Sequence, residues 1–237
     1  LAIGYNALGG SIAGGEYNVA IGNYSLDATT SGDANTAIGY NSLTANTTGN
    51  YNTASGYHAL ASNTTGSRNT ASGNYALTSN TTGVDNTASG YHALYSNTEG
   101  NYNTASGRAA LYYNTTGSNN TTSGYYALVS NTTGVDNTAS GFKALYANTT
   151  GERNLAIGYQ TLDAADTEDD NLAIGYDALG GAIAGGEFNV AIGNYSLDAT
   201  TSGDNNTATG YDALTGNTTG ADNTALGYDA GDVITTG

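Results

Sequence analysis

The chain has 237 residues, and its composition excludes several classes of protein. It contains no Pro, Cys, Met or Trp, and Leu, Ile, Val and Phe together supply only about one residue in seven. The absence of Cys excludes disulfide scaffolds, thiolate metal sites and cysteine nucleophiles. A net charge of −16 with four basic residues argues against nucleic acid and anionic membranes as partners, because both need basic surfaces. No apolar run approaches the ~20 residues of a membrane span, so we expect no membrane insertion.

A repeat begins with the first residues and continues along the whole chain. Glycine recurs from Gly4 to Gly227 in steps of 17 residues, except for two steps of 18. The unit reads Asn-Thr-Ala-(Ser/Ile)-Gly-Tyr-x-Ala-Leu-x-x-Asn-Thr-Thr-Gly-x-x, and we call its first glycine the anchor glycine. The extra residue of the longer steps falls in the glycine-rich stretches 9–15 and 180–186. A short period of this kind is the sequence signature of a repeat architecture.

Seventeen residues are too few for a helix-pair repeat or a propeller blade, and they fit one coil of a β-solenoid. We therefore predict an all-β, parallel β-solenoid of about 14 coils, which forms one continuous array over residues 1–237. Each coil is expected to hold two short strands, Thr-Ala-Ser-Gly-Tyr and Ala-Leu-x-x-Asn. Glycine supplies the positive φ of the turns between them. The absence of Pro agrees with this fold, because Pro would interrupt the ladder of hydrogen bonds.

Side chains that recur at the coil period are predicted to stack on their equivalents in the next coil. The leucine four residues after each anchor glycine is expected to form a narrow core. The asparagine that opens each unit is expected to form an amide ladder, in which each side chain bonds the next. These structural residues include Leu43, Leu60, Leu77, Leu94, Leu111, Leu128 and Leu145, with Asn52, Asn69, Asn86 and Asn103.

The first strand motif carries Thr-x-Ser in six consecutive units and bulky apolar pairs in several others. Two interpretations stay open for the hydroxyl array: an interface or packing ladder of small residues that suit strands, or an ice face. The hydroxyl positions are Thr53, Ser55, Thr70, Ser72, Thr87, Ser89, Thr104 and Ser106, continued by Thr121, Ser123, Thr138 and Ser140. Hydroxyls at two-residue spacing in every coil resemble the faces of solenoid ice-binding proteins.

The sequence offers no convergent catalytic set, so we predict that the chain is not an enzyme. His58 and His92 lie two coils apart, about 10 Å, which is too far for one metal ion. We expect both to be solvent-facing. Twelve Asn-x-Ser/Thr sequons are either glycan acceptors or a consequence of turns that need Asn and Thr.

No cofactor is expected, with one alternative. Carboxylates concentrate between residues 163 and 170, where they replace an Asn-Thr-Thr-Gly turn. The simpler interpretation is a solvated corner, and the alternative is a Ca²⁺ site, since calcium prefers oxygen ligands. The residues concerned are Asp163, Asp166, Glu168, Asp169 and Asp170.

Two parts of the repeat resemble known families. The segments 1–5, 19–22 and 190–193 are similar to the Ala-Ile-Gly repeats of trimeric autotransporter adhesin heads. The longer form with Tyr-x-Ala-Leu and Asn-Thr-Thr-Gly resembles the shafts of some phage tail fibres. The resemblance implies a left-handed β-roll, commonly of three chains, in which the bulky pair around the central Ala faces the other chains. Since Thr-x-Ser replaces that pair in six coils, a single-chain solenoid and other pairings stay open.

Together these features predict a structural segment of an extracellular filament, a surface adhesin or a viral tail-fibre shaft. The expected location is extracellular, at a cell surface or on a virion. The expected partner is the chain itself, laterally or end to end, since no cap is recognisable at Leu1 or over 232–237; we expect a segment of a longer chain or end-to-end copies. The alternatives are an ice-binding solenoid and an adhesin that binds cell-surface glycans through exposed Tyr95, Tyr112 and Tyr146.

Overall fold

A computed structural model describes residues 1–10, 14–181 and 185–232. It confirms the predicted all-β, parallel β-solenoid, and no helix occurs in these three ranges. The chain divides into two compact units, Leu1–Asn119 and Asn120–Gly237. Most of the predicted uncapped end, 233–237, and the centres of the two longer glycine-rich stretches, 11–13 and 182–184, lie outside the described residues.

In the first unit, neighbouring short strands pair in parallel, one coil apart. The register joins equivalent residues, for example Thr53 with Thr70 and Ser55 with Ser72. The strands are β1 (Ala2–Ile3), β2 (Val19–Ile21), β3 (Thr36–Ile38), β4 (Thr53–Ser55), β5 (Thr70–Ser72), β6 (Thr87–Ser89) and β7 (Thr104–Ser106).

The second unit repeats this arrangement with a different set of side chains. Leu155 pairs with Leu172 and Ile157 with Ile174, again one coil apart. The strands are β8 (Thr121–Ser123), β9 (Thr138–Ser140), β10 (Leu155–Ile157), β11 (Leu172–Ile174), β12 (Val190–Ile192), β13 (Thr207–Thr209) and β14 (Thr224–Leu226).

The prediction of a second strand in each coil is wrong. In the fourth coil, residues 57–62 form turns and residues 59–63 contain no strand. The reason is the backbone: His58 has φ +53° and Leu60 has φ +55°. Left-handed residues at alternate positions bend the chain repeatedly, so the extended conformation of a strand cannot form there.

The leucine core is nevertheless present, because these left-handed turns direct the equivalent leucines from Leu26 to Leu214 inward. Leu60, Leu77 and Leu94 are fully buried, as are the central strand residues Ala54 and Ala71. A left-handed φ also explains why this row is leucine: a β-branched side chain in that region is a strong outlier. Ile and Val occur instead in extended strand positions, as in Val19–Ile21.

This backbone constraint gives a prediction for Leu77, which has φ +53°. Leu77→Ile keeps the volume but places a β-branched residue in the left-handed region, so we expect a loss of about 1–2 kcal/mol in the free energy of unfolding. Leu77→Met, which is unbranched, should cost less than about 1 kcal/mol. Urea unfolding of the two variants measures the difference, and equal stabilities would contradict the backbone explanation.

The predicted ladder of the opening asparagines is present, and the coil contains a second asparagine ladder as well. In the first, the backbone N–H of Asn69 donates to Oδ1 of Asn52 (2.9 Å), and Nδ2 of Asn52 donates to the carbonyl of Gly66 (2.8 Å). The second ladder is a true side-chain ladder, in which Nδ2 of Asn80 donates to Oδ1 of Asn63 (2.8 Å). Asn52, Asn63, Asn69 and Asn80 are fully buried, so both ladders satisfy polar groups inside the coil.

Candidate functional site

The outer face of β4 to β7 in the first unit repeats the same residues in every strand. In β4 to β7 the central alanine points inward and the residues on either side of it are exposed. Adjacent strands lie about 4.8 Å apart, so the hydroxyls form two rows with that spacing. The two rows, which we call the hydroxyl face, contain Thr53, Thr70, Thr87 and Thr104 in one and Ser55, Ser72, Ser89 and Ser106 in the other.

The corresponding face of the second unit changes from hydroxyl to apolar. Thr121 and Ser123 in β8 are exposed, and β9 is half-buried at Thr138 and Ser140. In β10 to β12 the same positions hold aliphatic side chains, and Ile157 remains 40% exposed. We call this set the aliphatic face, and it comprises Leu155, Ile157, Leu172, Ile174, Val190 and Ile192.

Rows of aromatic rings follow the anchor glycines in both units. In the first unit Tyr40 and Tyr57 are stacked with centroids 5.4 Å apart. Tyr95 and Tyr112, which follow the core leucines instead, are stacked with centroids 5.0 Å apart. In the second unit Phe142, Tyr159 and Tyr176 form a continuous stack with 5.0 Å between successive centroids. The recurring Tyr or Phe is visible in the sequence, but the stacking of the rings is not.

The two histidines belong to these aromatic rows, and the prediction that both face solvent holds only in part, because each is half-buried. His58 is half-buried and stacks on Tyr75 with centroids 5.5 Å apart. His92 stacks on Tyr91 at 4.0 Å, and burial together with the charge of Arg108 lowers the pKa of His92. Both imidazoles pack within an aromatic row, at a coil position that Tyr75 and Tyr126 also occupy.

The predicted calcium corner is occupied by internal partners. Glu168 is buried and accepts hydrogen bonds from the backbone N–H groups of Asp166 (2.7 Å) and Thr167 (3.0 Å). Asp170 forms a bidentate pair with Arg153, which lowers the pKa of that carboxyl. Calcium at this corner stays a prediction. Among the residues that the structure describes, no group of three or more His, Cys, Asp or Glu is placed to hold a metal ion.

A carboxylate row that the sequence analysis did not identify runs along the second unit. Burial raises the pKa of Asp163, Asp177 and Asp198, and mutual repulsion adds to the shift at Asp163 and Asp198. Asp163 and Asp198 follow their anchor glycines by five residues and Asp177 by two, so only the coil geometry brings them together. Lys143 and Gln160 favour the charged form of Asp163.

The carboxylate row predicts the sign of the pH dependence of the second unit. Because a raised pKa in the folded state favours the protonated form, stability should increase as the pH falls from 7 through the raised pKa values. We expect Asp198→Asn to stabilise the unit at pH 7 by about 0.5–1 kcal/mol and to flatten this dependence. Asp222→Asn is the control, since Asp222 is exposed. Thermal unfolding from pH 4 to 7 measures both; a stability that falls on acidification in this range would contradict the prediction.

Most of the sequons lie in the interior, and the turn interpretation explains those. The asparagine is fully buried in eight: Asn46, Asn63, Asn80, Asn114, Asn120, Asn131, Asn148 and Asn217. It is exposed in the other four: Asn23, Asn119, Asn194 and Asn205. A glycan on a buried asparagine would displace the hydrogen bonds of a ladder.

Comparisons with known proteins provide no information on function, so the function has to be inferred from the architecture. No family model, curated protein or solved structure matches the chain. Across the described ranges, none of the structure forms a helix long and apolar enough to span a bilayer. The class that the fold defines is a parallel β-solenoid with a repetitive outer surface.

Proposed function

We propose that this chain is a structural repeat segment of an extracellular filament, a surface adhesin or a viral tail-fibre shaft. The observation that carries the proposal is the register: identical residues pair coil after coil, as Ala54 does with Ala71 and Ala71 with Ala88. A stack of this kind extends by one coil for each repeat while every contact is retained. Such an architecture supplies length and rigidity together with a surface that repeats along the axis.

The test is to change the number of coils. Duplicating residues 52–119 adds four repeats to the first unit, and each coil should add about 4.8 Å, so the maximum dimension from solution scattering should grow by about 19 Å. Deleting residues 52–119 is the converse control and should shorten the maximum dimension by about 19 Å. A duplicated chain that becomes wider and not longer would contradict the proposal.

The proposed partner is another copy of the same chain, and the aliphatic face supports it. Leu155, Ile157 and Ile192 form part of an apolar row where β4 to β7 have hydroxyls. Burying such a row against another chain is favourable, because it removes apolar surface from water. Sedimentation of the full chain tests the assignment. We expect the native chain to form an oligomer that Ile157→Asp weakens and that Ser106→Asp, on the hydroxyl face, leaves unchanged. If the native chain and both variants sediment as monomers, lateral association is contradicted.

The hydroxyl face favours ice binding as a second candidate. Eight exposed hydroxyl side chains in two rows give a flat, regular surface on β4 to β7. If the face binds ice, the chain should depress the growth temperature of ice crystals, and Ser72→Tyr should abolish the effect. Normal ice growth in the presence of the native chain would exclude this candidate.

Carbohydrate binding through tyrosine has less support. Tyr95 and Tyr112 stack on each other and are half-buried, so of the three predicted tyrosines only Tyr146 is exposed. Nζ of Lys143 lies 4.8 Å from the centroid of the Tyr146 ring. Glycan recognition therefore stays a prediction from the sequence.

A further inference from the structure

The aromatic rows hold tyrosine pairs whose geometry suits covalent coupling. Four stacked Tyr–Tyr pairs are seen among the residues that the structure describes, and Tyr159 with Tyr176 is the most parallel of these four, with centroids 5.0 Å apart and planes 2° apart. The two side chains are 43% and 41% exposed, so a solvent-borne oxidant can reach both rings. The exposure also leaves the rings enough freedom to approach each other.

The composition supports the same conclusion independently. The chain has 20 Tyr and no Cys, Met or Trp. Cys and Met are the side chains that common oxidants attack first. In their absence, one-electron oxidation is directed to tyrosine, and two adjacent phenols can be oxidised without competing damage at a sulfur atom.

We propose that stacked tyrosines of adjacent coils, Tyr159 and Tyr176 foremost, are sites of dityrosine cross-linking by a peroxidase-type oxidant. Each phenol loses one electron and its phenolic proton to give a phenoxyl radical. The two radicals join through a carbon–carbon bond between their Cε atoms, and each ring then moves its Cε hydrogen to the phenolic oxygen as it regains aromaticity. Hydrogen peroxide accepts the two electrons and two protons, so one peroxide and two tyrosines give one dityrosine and two waters.

The chain contains controls for both geometry and chemistry. Tyr176 and Tyr195 lie 5.3 Å apart, nearly the same distance, but their rings are inclined by 64°. On the other side of Tyr159, Phe142 is stacked at 5.0 Å and 12° but has no phenol to oxidise. A cross-link joining two coils would fix the spacing between them covalently. The inference rests on ring geometry and holds whether or not the chain belongs to a filament.

The experiment treats the dilute, folded full chain with a haem peroxidase and hydrogen peroxide. Cleavage after Asp and Glu then separates Tyr159 from Tyr176, because Asp163 and Asp170 lie between them. Mass spectrometry should show these two peptides joined with the loss of two hydrogens, together with dityrosine fluorescence. Tyr195→Phe should leave this cross-link unchanged, and Tyr176→Phe should remove it.

A gain-of-function variant keeps the test independent of any loss of folding. Phe142→Tyr supplies the missing phenol in the same stack, so we expect a new cross-link to Tyr159. The proposal is overturned if the Tyr176–Tyr195 cross-link forms at least as readily as Tyr159–Tyr176. It is also overturned if chain unfolded in urea gives the same Tyr159–Tyr176 yield as folded chain, or if Phe142→Tyr gains no cross-link.

Discussion

Replacing Gly73 with alanine is expected to lower the free energy of unfolding of the first unit by about 3–5 kcal/mol. Two effects combine at this anchor glycine. Its φ is +136°, a conformation that residues with a side chain rarely adopt, and an added Cβ would lie 2.5 Å from the carbonyl oxygen of Gly90 in the next coil. The backbone strain and the close contact cannot be relieved by moving one coil, because such a shift would break its strand register with the coils on both sides.

Gly227 provides the matched control for Gly73. It occupies the same position of the repeat with φ +130°, but the nearest atom to an added Cβ is that of Ala230 at 3.9 Å. Gly227→Ala should therefore carry the backbone cost alone, about 1–3 kcal/mol. Denaturant unfolding followed by circular dichroism measures both variants. Equal losses would show that close approach of the coils contributes nothing at Gly73.

The second large effect is expected at Asn69, which is fully buried in the first asparagine ladder. Its Oδ1 accepts from the backbone N–H of Asn86 (3.0 Å), and its Nδ2 donates to the carbonyl of Gly83 (2.8 Å). Asn69→Asp keeps the shape but places a carboxylate oxygen against that carbonyl. We expect a loss of about 3–5 kcal/mol at pH 7, because a buried charge is left without a compensating partner.

The same variant should show a pH dependence of known sign. Burial raises the pKa of the introduced carboxyl above its ordinary value of about 3.9, so the penalty is present at neutral pH and is relieved as the pH falls. A protonated acid can again donate to Gly83. Asn74→Asp is the control, since Asn74 is exposed and only accepts, from the backbone N–H of Tyr57 (3.2 Å). It should change stability by less than about 0.5 kcal/mol; similar losses in both variants would contradict the ladder.

The sequence could predict the fold because each residue of the repeat recurs at a fixed spacing. The period identified the parallel solenoid, and the strand at Thr53–Ser55 lies within the motif predicted for it. The Ala-Leu segment was predicted as a strand because its composition suits one. The left-handed φ of Leu60 overrides that preference. The sequence signal for this conformation was that no β-branched residue occurs at this position of the repeat.

The candidate surfaces were less predictable than the core. The hydroxyl face follows from alternation in the strand, so Thr70 and Ser72 could be placed outward from the sequence alone. The carboxylate row could not, because Asp177 and Asp198 occupy different positions of the repeat and meet only through the path of the turns. The second asparagine ladder could not be predicted for a similar reason. Asn63 was interpreted as a turn residue, and its hydrogen bond to Asn46 depends on the direction in which the turn points the amide.

Paired spin labels in the first unit test the central claim, that each repeat forms one coil and equivalent residues stack along an axis. The chain has no Cys, so introduced cysteines are the only labelling sites. One label at Ser106, paired in turn with Ser72, Ile38 and Ile3, spans two, four and six coils, for which we expect about 10, 19 and 29 Å. Distances that rise in this linear order support the account. An Ile3–Ser106 distance no longer than that of Ile38–Ser106 would contradict it.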